Sequence, residues 1–368
     1  MEVKQQSSPW AAAVPALLSF FAILALILDA ETAVSAASAG LQLCLQTVVP
    51  SLFPFLVAAR LFTSSGAVEW CARVVGPVMG PAFGLPPQGA AALVLGLLGG
   101  YPVGAQTAAT LYGERLLTKA EAERLLAFCS NAGPAFIFGM VGGLFGSGKI
   151  AAVLFGIHIV SALLTGLIFR PRGNQVLASS GNTIRKPASK LDFSAVMTGA
   201  VKTMGLICGC ILLFQVIVAF LERALGTWMP PAVEIGLSGL LELAGGCSRL
   251  PQLEAAGLRY CMASGFLAFG GLCVWLQTKS VIAPYGLTGR YYLSGKVLQG
   301  TIAVLLTWGI QVVYPSWLPR TLPTAAFPNH AGLLRATAIV TALFLCGLGI
   351  WCLRLRKKAG KEEALDVY

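Results

Sequence analysis

Long apolar runs separated by short polar segments dominate the hydrophobic pattern of this chain. The runs lie near 11–28, 148–169, 203–220, 297–313 and 333–353. Each approaches or exceeds the ~18–20 residues that a helix needs to cross a bilayer. The runs lack the ~10-residue alternation of an outer-membrane barrel. The pattern predicts an all-α polytopic membrane protein with about 8–10 membrane helices.

Two segments interrupt this apolar pattern with Gly, Pro and polar side chains, 99–106 and 130–134. Pro removes a backbone donor and Gly weakens a helix. In lipid, the freed backbone groups are tolerated only where protein or a water-filled cavity covers them. The interruptions therefore predict broken helices around a buried polar site, where backbone groups can bind a solute or an ion.

The order of these features repeats after a basic linker at 170–192. Residues 239–246 echo 96–100, and residues 262–271 echo 130–139. Interrupted segments at corresponding positions of two halves are typical of inverted-repeat transporters. Coincidence among Gly-rich membrane helices is the alternative. We predict two related halves, each with a broken-helix hairpin.

This organisation divides the chain into six parts. They are an N-terminal, signal-anchor-like span (1–34), a first repeat (35–169), the basic cytoplasmic linker (170–192), a second repeat (193–315), a loop with a last span (316–353) and a basic cytoplasmic tail (354–368).

Composition agrees with a membrane protein and gives an orientation. The chain is 56% hydrophobic and 11% charged, against about 25% charged residues in soluble domains. The net charge is +11, and by the positive-inside rule the linker and the tail both face the cytoplasm. An odd helix count between them contradicts this, so either a span near 226–296 is merged or missed, or one of the two basic clusters does not face the cytoplasm. Nucleic-acid binding is not expected.

Two further segments carry polar residues. Segment 37–63 contains Gln42, Gln46, Pro50, Ser51 and Pro54, and is either a kinked helix or an element that lines a cavity. The charged connector from Leu111 to Leu126 is expected to be a solvated hairpin tip. The ten cysteines are scattered through apolar sequence without a CxxC pair, which favours buried thiols over disulfides or a metal site. No cofactor or metal is expected.

The segments 100–106 (Gly-Tyr-Pro-Val-Gly-Ala-Gln) and 130–139 (Ser-Asn-Ala-Gly-Pro-Ala-Phe-Ile-Phe-Gly) carry a family resemblance. Together they resemble sporulation integral membrane proteins of the YlbJ type, in the nucleoside-recognition (Gate) domain family. Segments 207–217 and 239–245 agree more weakly. That family is similar to the core of concentrative nucleoside transporters and to the membrane part of ferrous-iron transporters.

The resemblance, over roughly 35–315, implies an inverted-repeat membrane protein with hairpins and a nucleoside-like solute. Two positions depart from the family pattern. Gln106 stands where a basic residue is expected, and Ala244 stands where a polar side chain is usual after the glutamate. The second departure weakens the expectation of ion coordination at the second hairpin.

Glu242 is the sharpest single signal, because a carboxylate in apolar sequence costs at least ~2.5 kcal/mol near mid-membrane. It is either a substrate- or ion-coupling group, or an interfacial residue paired with Arg249. Lys279 is a candidate partner for Glu242 in ion coupling, or a lysine that snorkels to the headgroups. The candidate substrate-binding residues are Tyr101, Gln106, Asn131, Gly133, Glu242 and Gly246.

The histidines carry less weight. His158 is expected to be a helix residue bonded to a neighbour rather than a proton relay, and His330 to lie exposed in a Pro-rich loop. No GxSxG, HExxH or phosphate-loop pattern occurs, so an enzyme is not expected.

We therefore predict a permease of the cell membrane that binds a small polar solute between two midplane hairpins. Its partners would be lipid, a nucleoside-like solute, Na⁺ or H⁺ as a coupling ion, and further copies of itself in a homo-oligomer. The alternative is a non-transporting assembly protein of a sporulation membrane.

Overall fold

The computed structural model describes residues 9–64, 67–171, 192–314, 316 and 318. All regular secondary structure in these ranges is helical. Five helices are long and apolar enough to cross a membrane: Ala30–Phe62, Gly148–Ile168, Phe193–Leu225, Ala256–Tyr285 and Tyr292–Val313. The all-α membrane architecture is thereby confirmed. The apolar run at 333–353, the tail and His330 lie outside the described residues.

The helices follow in chain order. They are α1 (Pro9–Leu28), α2 (Ala30–Leu43), α3 (Val49–Ser64), α4 (Ala67–Val74), α5 (Gly76–Val78), α6 (Gly89–Gly99), α7 (Val103–Gly113), α8 (Lys119–Leu125), α9 (Gly142–Leu144), α10 (Gly148–Ile168), α11 (Phe193–Leu225), α12 (Pro231–Leu241), α13 (Leu243–Arg249), α14 (Ala256–Phe269), α15 (Gly271–Ile282) and α16 (Tyr292–Val313). Wider π-helical turns at Cys44–Val48, Met79–Phe83 and Ala135–Val141 join several of them.

In the first half, α6 and α7 fold back on each other around Gly100, whose φ is +77°. The two arms approach at Gly96 and Gly104, and both pack against the backbone carbonyl of Cys129. A methyl group at either glycine would overlap that carbonyl. The non-helical stretch 130–133 lies beside this turn, with Gly133 against Gly100. The two predicted interruptions therefore meet.

The second half is built in the same way. Helices α12 and α13 fold back around Glu242, and their arms meet at Gly239 and Gly246. The helix formed by α14 and α15 is interrupted at Gly270 and Gly271, whose φ values are +85° and +82°. Gly271 packs against Leu241, next to Glu242. Both halves thus place one break against another; the inverted orientation of the halves stays a prediction.

The remaining helices surround these breaks. Helix α16 packs along α14 and α10, and α11 packs along α2, α3 and α15. The outward side chains of α11 and α16 are apolar and exposed, among them Leu213, Leu305 and Trp308. An exposed apolar belt on long helices is what a bilayer requires.

Segment 37–63 is helical, with a π turn at Cys44–Val48 and Pro54 inside α3. Gln42 and Gln46 face outward, whereas Val48 and Leu52 line the central cavity described below. The segment is therefore both an irregular helix and a cavity-lining element, and its apolar side chains do the lining.

The expectation of a solvated connector at Leu111 to Leu126 is wrong for two of its carboxylates. Glu121 is buried and closes a capping box with Thr118 at the start of α8. Glu123 is buried and accepts hydrogen bonds from Thr288 and from the Arg290 backbone N–H. The connector docks on the turn before α16, because these carboxylates satisfy backbone donors that would otherwise be unpaired.

Candidate functional site

The breaks of both halves converge on one small cavity of about 50 Å³. Tyr101 and Gly133 reach it from the first half, and Glu242 and Gln277 from the second. Apolar side chains complete the wall: Val48, Leu52, Phe136, Ile207, Ile211, Leu243 and Val274. The cavity therefore combines an apolar wall with a few polar groups, as solute sites do.

Glu242 is the charged group of this cavity and is only 2% exposed. Its carboxylate accepts hydrogen bonds from the backbone N–H groups of Ala244 (2.8 Å) and Gly245. It also accepts one from the Gln215 amide at 3.1 Å. The side chain thus caps the N-terminus of α13, where free N–H groups and the helix dipole favour a negative charge.

The alternative pairing of Glu242 with Arg249 is wrong. Arg249 binds Glu222 through both terminal nitrogens and lies 3.7 Å from Glu234. A partner on α11 reaches this arginine because α11 packs against α12, the arm that pairs with α13. Glu242 is buried at the cavity and not paired at an interface. Within the described part of the chain, no basic group lies within 4 Å of its carboxylate.

Tyr101 connects the cavity to a second polar cluster. Its hydroxyl donates a hydrogen bond to the carbonyl of Leu267 at 3.1 Å, near the end of α14. This bond satisfies a carbonyl that has lost its helical partner because the helix is interrupted at Gly270. The Lys296 ammonium lies 3.5 Å from the same hydroxyl. Tyr101 therefore touches both the second half and a buried cation.

Asn131 lies in this second cluster and is not among the cavity-lining residues. Its amide nitrogen donates to the Phe128 carbonyl at 2.8 Å, and its oxygen accepts from Gln299 at 3.0 Å. Asn131 is fully buried. In this conformation it fixes the first break and does not present its amide to the cavity.

Three further predicted residues lie elsewhere. The Gln106 oxygen accepts from Arg60 at 3.4 Å, and Arg60 also donates to Thr203 on α11 at 2.9 Å. Arg60 thus places a guanidinium beside Gln106 and links α3 to α11. Gly246 packs against Gly239 at the contact between α12 and α13.

Lys279 does not contact Glu242. Its ammonium donates to the Thr288 carbonyl at 2.9 Å and lies over the ring of Trp275.

His158 has a structural position. Its Nε2 accepts the backbone N–H of Ala132 at 3.1 Å. The ring therefore satisfies one of the donors freed in the stretch 130–133. This is the bonded helix histidine that the sequence favours over a proton relay.

Several polar residues of the site escaped sequence reasoning. Gln215 sits singly within an apolar helix, and Gln277 begins the short polar run Gln-Thr-Lys-Ser of α15. Arg60, Lys296 and Gln299 meet partners that lie 46 to 195 positions away in the chain. The one usable signal was the charge of Lys296 within the polar start of an apolar run. Such a lysine normally snorkels to the headgroups, which hides its burial.

The chemistry of this site is recognition. A carboxylate, an amide and a phenol around an apolar wall can bind donors of a small polar solute or a cation. No cluster of three or more His, Cys, Asp or Glu suited to a metal occurs among the residues that the structure describes. The eight cysteines in those residues are free thiols.

Comparison with known proteins agrees with this architecture. Residues 45–175 match the Gate family, described as "Nucleoside recognition". The chain is 27% identical to the sporulation integral membrane protein YlbJ of Bacillus subtilis (strain 168), over 90% of this chain and 93% of that protein. The resemblance read from 100–106 and 130–139 is thereby confirmed. No solved structure matches the chain.

Proposed function

We propose that this relative of the YlbJ protein, with its Gate domain at 45–175, is a sporulation-associated permease for a small polar solute. The solute binds between the α6–α7 and α12–α13 hairpins and is nucleoside-like, as the Gate description suggests. Glu242 is its main polar anchor and the candidate coupling carboxylate. Both hairpins have arms of 7 to 11 residues, too short to cross a bilayer.

The convergence of three breaks, drawn from both halves, on one cavity carries this proposal. Transporter sites form where broken helices of two halves meet near mid-membrane, because freed backbone groups and helix ends bind the cargo there. Here the breaks at Gly100 and Gly133 come from one half and the break at Glu242 from the other. The break at Gly271 packs against Leu241, next to Glu242.

The cavity of the described conformation is too small for a nucleoside. About 50 Å³ holds a few water molecules, whereas pockets for drug-sized ligands measure about 300–1,000 Å³. A nucleoside therefore enters only after the two hairpins separate. Rocking of one half against the other would open the site, as in alternating access.

Uptake into proteoliposomes tests the proposal with a mixture of candidate solutes. Vesicles containing the purified protein are incubated with an equimolar mixture of nucleosides, nucleobases and small metabolites, and their contents are identified by mass spectrometry. We expect at least one solute to accumulate over empty vesicles, and Glu242→Gln to abolish that accumulation. Glu254→Gln, an exposed carboxylate of the same half, is the matched control and should accumulate normally.

Two observations favour a second function. The cavity is small, and Gln106, a candidate solute contact, accepts a hydrogen bond from Arg60 instead. In this view the chain keeps the fold for assembly with a membrane partner during sporulation. No accumulation of any solute by well-folded protein, together with one partner recovered by in-cell cross-linking, would favour assembly over transport.

A further inference from the structure

Lys296 is a completely buried lysine, near the start of α16. Its ammonium donates hydrogen bonds to the Ser130 carbonyl and to the Gln299 side-chain oxygen, the latter at 2.7 Å. It also lies 3.5 Å from the Tyr101 hydroxyl. All three acceptors are uncharged. In the ranges that the structure describes, no carboxylate comes within 4 Å of this ammonium.

This arrangement differs from the usual fates of a lysine in a membrane protein. A snorkelling lysine keeps its ammonium at the headgroups, which zero exposure excludes. A buried lysine normally pairs with a carboxylate, since an uncompensated charge is expensive to bury. Lys296 instead has a shell of one carbonyl, one amide and one phenol oxygen, and oxygen ligands are those that hard cations such as Na⁺ prefer.

The oxygen atoms around the Lys296 ammonium are positioned by the first break, the non-helical stretch 130–133. Ser130 lies in the non-helical stretch, so its carbonyl is available to a ligand and not to a helix. Gln299 is held by its donation to Asn131, which is itself held by the Phe128 carbonyl. Unwound carbonyls at broken helices are the groups that coordinate coupling ions in secondary transporters.

We propose that the Lys296 ammonium is a tethered cation that occupies a cation site at the first break. Its binding to Ser130 and Gln299 replaces a free monovalent cation there, and ties α16 to the first half. Any free coupling cation then binds at Glu242 in the second half. The inference extends the proposed permease, but its test measures stability alone, so failure of transport and failure of the tethered cation are distinguishable.

Chemical rescue tests this directly. Truncation in Lys296→Ala removes the ammonium and leaves space for a small cation. Melting of the detergent-purified protein is compared in methylammonium, sodium and choline chloride at equal ionic strength. We expect methylammonium, and more weakly Na⁺, to raise the melting temperature of Lys296→Ala by about 2–4 °C over choline. The wild type and Lys279→Ala should show no methylammonium response.

Two outcomes would overturn the inference. One is a Lys296→Ala protein that responds to none of the cations more than the wild type does. The other is a Lys296→Met protein, with its volume kept and its charge lost, that melts like the wild type. If Lys296→Ala does not fold in choline, the yield of monodisperse protein extracted in methylammonium replaces the melting temperature. No recovery of that yield also contradicts the proposal.

Discussion

At the scale of single residues, Glu242 has two roles that a substitution can separate. Its carboxylate faces the cavity, and it also caps α13 through the N–H groups of Ala244 and Gly245. The cap contributes to the stability of the fold, whereas the charge that faces the cavity is proposed to bind the solute. Gln keeps one acceptor oxygen for the cap and loses the charge, whereas Ala loses both.

We predict that Glu242→Ala lowers the free energy of unfolding by about 1–2 kcal/mol, since a helix cap is lost. Glu242→Gln should lower it by less. Unfolding by SDS titration in mixed micelles measures both. Glu254→Ala, at an exposed position, is the control and should stay within about 0.5 kcal/mol of the wild type. Equal stability of all three variants would contradict the capping role.

Residues of the site could be predicted from the sequence where they lie in or beside helix breaks, but not where they lie within continuous helices. Tyr101, Gly133 and Glu242 stand out because they lie in or beside Gly and Pro breaks, and the structure places them around the cavity. Lys296 and Arg60 lie in continuous helices. Their partners are distant in sequence, so no local spacing reveals them, and the sequence pattern favours Lys279 over Lys296.

At the scale of elements, the two arms of each hairpin pack against each other through a pair of glycines. Gly96 meets Gly104 in α6 and α7, and Gly239 meets Gly246 in α12 and α13. The glycine-rich segments are enough to predict hairpins. They cannot predict that the Cys129 carbonyl is clamped between Gly96 and Gly104, because that contact joins separate segments.

We predict that Gly96→Ala lowers the free energy of unfolding by about 3 kcal/mol or more, because the methyl group would overlap the backbone carbonyl of Cys129 and the backbone cannot yield as a side chain would. Gly156→Ala is the matched control. Gly156 is exposed within α10 with no atom near its added methyl group, so alanine should be neutral or stabilise by about 0.5–1 kcal/mol. A Gly96→Ala protein as stable as Gly156→Ala would contradict this hairpin packing.

At the scale of the whole molecule, the hairpin geometry is compatible with the orientation predicted for both basic segments. The arms α12 and α13, of 11 and 7 residues, fold back on each other, and each is too short to cross a bilayer. Three described spans then follow the linker, Phe193–Leu225, Ala256–Tyr285 and Tyr292–Val313. With the predicted span at 333–353 the number becomes even. The basic linker and the basic tail can then lie on the same side, as the positive-inside rule requires.

We predict that both basic segments face the cytoplasm. Green fluorescent protein fused after Tyr368 should fluoresce, since it does so only inside the cell. An epitope tag inserted at position 180 of the linker should bind antibody only in permeabilised spheroplasts. Antibody binding to intact spheroplasts, or a dark fusion of a well-expressed protein, would contradict the orientation and the re-entrant geometry of α12 and α13.

The most direct test of the central claim, solute binding at Glu242, is a thermal-shift screen of the detergent-purified protein. The panel contains nucleosides, nucleobases and small metabolites, each with and without Na⁺. A ligand at a hundredfold excess over its Kd stabilises a protein by about 2.7 kcal/mol, so a true solute should be visible. The account predicts at least one hit in the wild type and in Glu254→Gln that is lost in Glu242→Gln. A hit that persists unchanged in Glu242→Gln, or a blank panel on folded protein, would contradict it.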